Sequence, residues 1–188
     1  EYSHKHRIEE VEENFKDLKD GEQSFDFWHL YGYRNLVLKM KEVIRTTQKT
    51  LEMSLWNREV NLLKGELKKA EKRGVDVTLF SFTKFDFKIG KQISYNLNED
   101  RLRKIWSPNI ILVSDKLSTI MGSSKKESNS RSIFTKNEAI IEIAINHIVL
   151  DITLAGQRLN FDSNPIVKKI MKNSDLQLNK LFKDKKNF

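Results

Sequence analysis

Residues 50–82, TLEMSLWNREVNLLKGELKKAEKRGVDVTLFSF, contain the pattern of a strand, a helix and a second strand. Apolar and polar residues alternate at both ends of this stretch, which is typical of half-buried strands. The alternating apolar positions are Leu51, Met53 and Leu55, then Val75, Val77 and Leu79. Between them an apolar residue recurs every three or four positions, which predicts an amphipathic helix with Asn57 as its N-cap and Gly74 just beyond its end.

Two strands joined by a helix form a parallel βαβ unit, and ligands of such units bind at the carboxyl ends of the strands. The first candidates for ligand contacts are therefore Trp56, Asn57, Phe82 and Thr83. An indole stacks on a sugar ring and an amide both donates and accepts hydrogen bonds, so the Trp56-Asn57 pair suits a sugar. The simpler interpretation needs no ligand, because Asn57 as a helix cap and Trp56 as core edge explain both residues.

The composition predicts one soluble domain with short appendages. Of the 188 residues, 38% are hydrophobic and 32% charged. No apolar run reaches the roughly 18 residues that a membrane span needs. The absence of cysteine excludes disulfides, cysteine zinc sites and cysteine nucleophiles, and it permits a reducing compartment, so we expect a cytoplasmic protein. Because the chain begins at Glu1 without a methionine or a secretory signal, we expect a fragment of a longer protein.

A net charge of +8 invites a nucleic-acid interpretation. The cations are spread along the chain, however, and no helix or loop collects them into the stripe that phosphate tracking needs. A solvated basic surface is the preferred interpretation, and a nucleic-acid-binding module stays open as an alternative.

The N-terminal residues 1–20 predict a charged helix with apolar residues at heptad-like spacing. Two interpretations remain open for this helix: it packs on its own domain, or it is the end of a longer dimerisation helix. From Asn109 onward an antiparallel meander is predicted, with Asp115-Lys116 as a tight turn. A long helix then runs from about Asn137 to Leu159. Its broad apolar stripe predicts deep burial, with a narrow polar edge formed by Glu138, Glu142, His147 and Asp151.

Several phrases of the sequence, in this order, resemble the effector domain of the TrmB family of transcriptional regulators. They are FWHLYG, LEMSLW, AEKRGVDV, IILVSDKLSTIMGSS and SIFTKNEAI. The resemblance implies a phospholipase D-like α/β fold, in which a mixed sheet is flanked by helices and preceded by an N-terminal coiled-coil-like helix. We therefore divide the chain into a helical dimerisation linker (1–20), an effector-binding domain (21–160) and a C-terminal helical tail (161–188).

The implied fold permits a test for phospholipase D chemistry. Those enzymes carry a nucleophilic His, a phosphate-binding Lys and an Asp at fixed spacing, with Gly-Ser on the next strand. Anchored on Asp115, the pattern places Pro108 at the His position and Ile110 at the Lys position, while Gly122-Ser123 matches the Gly-Ser. Because neither Pro108 nor Ile110 can attack or hold a phosphate, we expect no catalytic residues and no enzyme of this mechanism. Asp115 is then predicted to be a turn residue.

What the resemblance implies instead is a sensor: a homodimer that binds a small polar ligand, possibly a sugar, and controls an N-terminal winged-helix DNA-binding domain that precedes this chain. The candidate ligand-binding residues are Trp56, Asn57, Phe82, Thr83, Ser123, Ser124, Asn137 and Glu138. Ser123 and Ser124 are equally explained as loop residues, and Asn137 as a helix cap. The four histidines lack metal-ligand spacing and no phosphate-binding loop occurs, so neither a metal nor a cofactor is expected. A degenerate phospholipase D-like phosphodiesterase remains the enzymatic alternative.

Overall fold

The computed structural model describes residues 27–171, which form one seven-stranded mixed sheet with helices on both faces. The strands are β1 (Phe27–Tyr31), β2 (Thr50–Ser54), β3 (Asp76–Thr83), β4 (Lys91–Leu97), β5 (Asn109–Ser114), β6 (Ser118–Ser123) and β7 (Arg131–Thr135). The helices are α1 (Tyr33–Thr46), α2 (Asn57–Lys72), α3 (Glu99–Arg103), α4 (Glu138–Leu159) and α5 (Asn164–Ile170). This confirms the predicted α/β class with a mixed sheet flanked by helices. The predicted helix in residues 1–20 and the part of the tail after Met171 lie outside the described residues.

The strands lie in the order β1-β7-β6-β5-β2-β3-β4. The predicted βαβ unit is confirmed, since β2 and β3 run parallel with Leu51 opposite Val77. β4 is also parallel to β3, whereas β5, β6, β7 and β1 form the antiparallel part of the sheet. The carboxyl ends of β2 and β3 therefore lie beside the start of β5 and the end of β6, because β2 and β5 run in opposite directions.

Each face of the sheet carries its own core, because successive side chains of a strand point to opposite faces. On one face α1 and α2 cover residues such as Met53, Leu79 and Ile110. On the other face α4 and α5 cover the alternate residues, among them Phe80 and Ile111. Glu52 also points to the α4 face and is only 4% exposed, which makes it a buried carboxyl group within the sheet.

The turn between β5 and β6 does more than reverse the chain. Asp115 and Lys116 both have positive φ angles, 52° and 57°, so Asp115 is the predicted turn residue. Its carboxylate also accepts backbone hydrogen bonds from Gln48, Lys49 and Thr50 at 2.9, 2.6 and 2.9 Å. Asp115 thereby ties the α1–β2 connection to the end of the meander, at the opposite end of β2 from Trp56.

Of the two predicted helix caps, one is wrong and one is confirmed. Asn57 does not cap α2: the N-cap is Trp56, without a side-chain cap, and the Asn57 amide donates instead to Asp86 Oδ2 at 2.8 Å. The prediction failed because Asp86, from the loop after β3, reaches the first turn of the helix and takes the amide. Asn137, in contrast, does cap α4, since its side-chain oxygen accepts from the backbone nitrogen of Ile140 at 3.2 Å.

The burial of α4 is also less complete than its apolar stripe predicted. Eight of its residues are buried against the sheet, but Ile143, Leu150 and Leu154 are 57%, 66% and 43% exposed. Asp151, expected on the polar edge, has a side chain only 14% exposed. The reason is that the sheet and α5 contact one face of α4, which leaves apolar positions of the other face in solvent. By length and composition α4 passes the test for a membrane span, as core helices of soluble domains also do.

Candidate functional site

A cavity of about 680 Å³ lies beside the carboxyl ends of β2 and β3, beneath α4. This volume is within the range of small-molecule sites, roughly 300–1,000 Å³. The lining residues come from the strands that meet there, from the segments after β2 and α3, and from α4: Ser54, Leu55, Trp56, Phe82, Tyr95, Trp106, Asn109, Ile110, Ile111, Met121, Gly122, Ile143, His147, Asp151, Leu154 and Arg158. The position agrees with the rule that places ligands at the carboxyl ends of parallel strands.

One wall of the cavity is aromatic. Phe82 of β3 and Tyr95 of β4 lie on adjacent strands, and their rings stack with centroids 5.7 Å apart and planes at 19°. Trp106, which follows α3, packs on Phe82 with a centroid distance of 5.7 Å. Within residues 27–171 the Tyr95 hydroxyl is buried and has no hydrogen-bond partner. Burial raises the pKa of Tyr95, so its hydroxyl keeps its proton at neutral pH and can donate a hydrogen bond.

A polar row on α4 forms another part of the lining. His147, Asp151 and Arg158 share one side of the helix, since they are spaced four and seven residues apart. Ser54 donates to Asp151 Oδ2 at 3.3 Å, and His147 Nε2 lies 3.6 Å from the same oxygen. Burial raises the pKa of Asp151, and the nearby His147 acts in the opposite direction. The cavity therefore offers a partly buried acceptor, a cation and a free hydroxyl beside aromatic surface.

This combination suits a polar molecule with a flat or ring-shaped apolar face. Aromatic rings supply contact area, and hydroxyl, carboxylate and guanidinium groups give direction to hydrogen bonds. Within residues 27–171 no three His, Asp or Glu side chains are grouped as a metal ion would need.

The predicted residues at the strand ends divide into two pairs. Trp56, only 3% exposed, and Phe82 line the cavity. Asn57 and Thr83 lie at the same strand ends and contact each other, with the Asn57 backbone nitrogen donating to Thr83 Oγ1 at 2.9 Å. Neither lines the cavity, because the amide of Asn57 is held by Asp86 and the Thr83 hydroxyl is buried against Ser81 at 3.0 Å.

The other predicted residues also lie outside the cavity lining. The Ser123 backbone carbonyl accepts from the Ser130 and Ser132 hydroxyls at 2.9 and 3.1 Å, and the Ser124 hydroxyl is buried and donates to the Pro108 carbonyl at 3.3 Å. Asn137 caps α4 and Glu138 begins it, whereas the cavity is lined by later residues of that helix.

Ser124 instead belongs to a second polar cluster, between α1, α2 and the end of β6. Arg58 donates through Nη2 to the hydroxyl of Ser124 at 3.0 Å and to its carbonyl, and its Nε lies 2.6 Å from Glu59 Oε1. Tyr33 donates to the same Glu59 oxygen at 2.9 Å. Burial raises the pKa of Glu59, against the opposing influence of Arg58, and burial with the adjacent Glu59 raises that of Tyr33. This cluster joins two helices to the meander.

His147, Asp151 and Ser124 were named from the sequence, but neither group of polar residues was predicted. A signal for Glu59 was present, because it falls four residues before Leu63 on the apolar stripe of α2, where a charged residue must find a buried partner. The i, i+4 spacing of His147 and Asp151 also placed them on one side of α4. No pattern in a short stretch of sequence predicted that this row lies near Tyr95 or Trp106. The order of the strands in the sheet brings these residues together.

Three solved structures are similar to this chain at low sequence identity. TrmBL2, described as an archaeal chromatin protein with a novel mode of DNA binding, is 17% identical with a TM-score of 0.47; the match covers 78% of this chain and 59% of TrmBL2. NucT from Helicobacter pylori is 11% identical with a TM-score of 0.47, covering 68% of this chain and 96% of NucT. Nuc from Salmonella typhimurium, a phospholipase D family member, is 13% identical with a TM-score of 0.44, covering 66% and 92%.

The chain thus spans about three fifths of TrmBL2, at 59% of its length. No curated protein matches the sequence. The family model "Transcriptional regulator TrmB, EBD N-terminal subdomain" matches residues 26–148, from the residue before β1 to the middle of α4. This match confirms the resemblance read from the sequence phrases, and the chain belongs to the TrmB family of transcriptional regulators.

Proposed function

We propose that this chain is the effector-binding part of a TrmB-like transcriptional regulator and that its cavity binds a small polar ligand, with sugars as the first class to test. A winged-helix domain preceding this chain would make the DNA contacts, in a homodimer located in the cytoplasm. The observation that carries the proposal is the cavity itself, in which aromatic rings meet polar side chains of α4 and a Tyr95 hydroxyl that has no partner among the described residues.

The chemistry of the lining supports a ligand rich in hydroxyl groups. The stacked Phe82-Tyr95 pair, together with Trp106, offers surface for the C–H face of a sugar ring. The buried Tyr95 hydroxyl donates a hydrogen bond, for which no partner exists within the described residues. Asp151 can accept from ligand hydroxyls and Arg158 can donate to them, so two members of the α4 row can orient the ligand.

The test is calorimetric titration of the full chain with a panel of mono- and disaccharides and their phosphates. We expect at least one member to bind, and Tyr95→Phe to weaken it by about 3- to 10-fold, because one hydrogen bond of roughly 1 kcal/mol is lost. Tyr31→Phe is the matched control, since Tyr31 lies on β1 outside the cavity and is exposed. A folded chain that binds no member of the panel rules out sugar sensing.

We further infer that this chain is not a phosphodiesterase of the phospholipase D type. Ile110, at the position of the phosphate-binding Lys, is 1% exposed, and the backbone carbonyl of Pro108, at the position of the nucleophile, accepts hydrogen bonds from Ser124. Incubation with a chromogenic phosphodiester should therefore release no product above a heat-denatured sample. In a parallel titration, DNA binding by this chain that weakens steeply with salt would favour the nucleic-acid alternative.

A further inference from the structure

In the described part of the chain, the outer edge of β1 has backbone hydrogen-bonding groups that no other strand uses. Within residues 27–171, β1 pairs only with β7, in a register that places Tyr31 opposite Arg131 and Leu30 opposite Ser132. The same register puts Gly32 opposite Ser130, and Gly32 donates to the Ser130 carbonyl at 2.8 Å. Hydrogen-bonded and non-bonded pairs alternate along an antiparallel ladder.

It follows that Trp28 and Leu30 exchange hydrogen bonds with β7, as Gly32 does. Phe27, His29 and Tyr31 instead direct their N–H and C=O groups away from the sheet. One of these groups has a partner, because the Tyr31 carbonyl accepts from the Asn35 side chain at 2.8 Å, but a carbonyl oxygen accepts two hydrogen bonds.

This edge lacks the usual protection against pairing. Exposed edge strands commonly carry lysine, proline or a bulge, which discourage other strands. The sequence of β1, FWHLY, has none of these residues, and Phe27, Trp28 and Tyr31 are 42%, 46% and 55% exposed. At the opposite edge of the sheet, β4 begins with Lys91, and its pairing with β3 is irregular between Ser81 and Thr83. The two edges therefore differ, and β1 is the one able to accept another strand.

The strand that fits this edge best is a second copy of β1. A two-fold axis through His29 places His29 opposite His29 of the second copy and Phe27 opposite its Tyr31. Every outward-directed residue then meets another outward-directed residue, which is the self-complementarity that a two-fold interface requires. No acidic residue and no lysine or arginine lies on either strand, so no fixed like charges oppose each other.

We propose that two copies of this chain pair through their β1 strands, antiparallel and centred on His29, so that the two sheets join into one. The position of the undescribed N-terminal residues favours this occupant, because they join the described chain at the edge strand itself. Residues 21–26 can span at most about 20 Å, so two copies that meet through residues 1–20 would also bring their β1 edges near each other. The inference shares the homodimer with the proposed function and does not depend on ligand binding.

Cross-linking provides a direct test, because the chain has no cysteine. In a hydrogen-bonded antiparallel pair the two Cα atoms are about 5.5 Å apart, which is within the range of a disulfide. We expect His29→Cys in the full chain to form a covalent dimer under mild oxidation. The matched control is Leu62→Cys on α2, which is 46% exposed and distant in the sheet order from β1. Equal cross-linking of the two variants would overturn the proposal.

Two proline variants separate pairing from folding. His29→Pro removes an outward N–H, so the monomer should stay folded while the dimer dissociation constant rises at least tenfold, equivalent to about 1.4 kcal/mol. Leu30→Pro removes an N–H bonded to β7 and should lower the melting temperature. Sedimentation measures the dissociation constant, with ligand-free protein. Either of two results would refute pairing through β1. One is a monomeric wild-type chain, and the other is a dimer whose dissociation constant does not change in His29→Pro.

Discussion

Replacing Asp115 should have a large effect on stability for a residue outside the hydrophobic cores. Its carboxylate accepts three backbone hydrogen bonds, at 2.9, 2.6 and 2.9 Å, from Gln48, Lys49 and Thr50. A hydrogen bond to a charged group contributes roughly 1.5–3 kcal/mol, but two of these bonds are exposed and all three share one side chain. We therefore expect Asp115→Ala to lower the free energy of unfolding by about 3 kcal/mol rather than by the sum.

Part of that loss comes from the backbone, and the variants separate the two parts. Asp115 has φ 52°, where alanine is strained and asparagine is tolerated. Asp115→Asn keeps the turn and one acceptor oxygen but places an amide NH₂ against a backbone N–H, so about 1–2 kcal/mol should be lost. Lys116→Asn is the control: its φ is also positive, 57°, and it should change stability by less than about 0.5 kcal/mol.

Thermal and denaturant unfolding at one pH give the required comparison. For a domain of this size about 1 kcal/mol corresponds to roughly 2–4 °C, so Asp115→Ala should melt about 6–12 °C below the wild type. If Asp115→Ala were as stable as Lys116→Asn, the carboxylate would not be anchoring the α1–β2 connection. The reasoning about its three hydrogen bonds would then be wrong.

Two further predictions concern buried charges. Burial raises the pKa of Glu52 from 4.5 to about 7. Between these two pH values the folded chain holds a proton that the unfolded chain has released. The free energy of unfolding therefore falls as the pH rises from 4.5 to about 7. Glu52→Gln should accordingly stabilise the chain by about 3 kcal/mol at pH 8 and by little at pH 4.5, and an equal effect at both pH values would contradict this. Arg58→Met leaves the carboxylate of Glu59 buried without its cation and should lower the free energy of unfolding by about 3–5 kcal/mol. Combining it with Glu59→Leu should lower that free energy by less. If the effects of the two single variants simply added up in denaturant unfolding, the two residues would not be coupled.

The cavity and the β1 edge lie at different places on the sheet, which lets ligand binding and assembly be studied separately. The cavity is lined by residues of β2, β3, β4, β5 and β6, whereas β1 is the outermost strand and is separated from β6 by β7. A ligand that altered the dimer would therefore act through α4 or through the antiparallel strands between them. Comparing the dissociation constant with and without bound ligand measures this coupling.

Most strands and helices, and the family, could be predicted from the sequence alone. The periods of two and about 3.6 residues are local properties, so the βαβ unit, the meander and α4 could all be read from short stretches. The match of residues 26–148 to the TrmB model agrees with the phrases that first indicated the family. The turn at Asp115 was likewise a local prediction.

Which side chains share a site depends on the tertiary structure. Trp56 and Phe82 were found from the strand ends, but Asp151, which lies 97 positions from its partner Ser54, reaches the cavity only because α4 crosses the sheet. Asn57 does not line the cavity, because its amide donates to Asp86. Ser124 does not line it either, because its hydroxyl accepts from Arg58. Such pairings depend on strand order and packing between distant segments, which no local period in the sequence encodes.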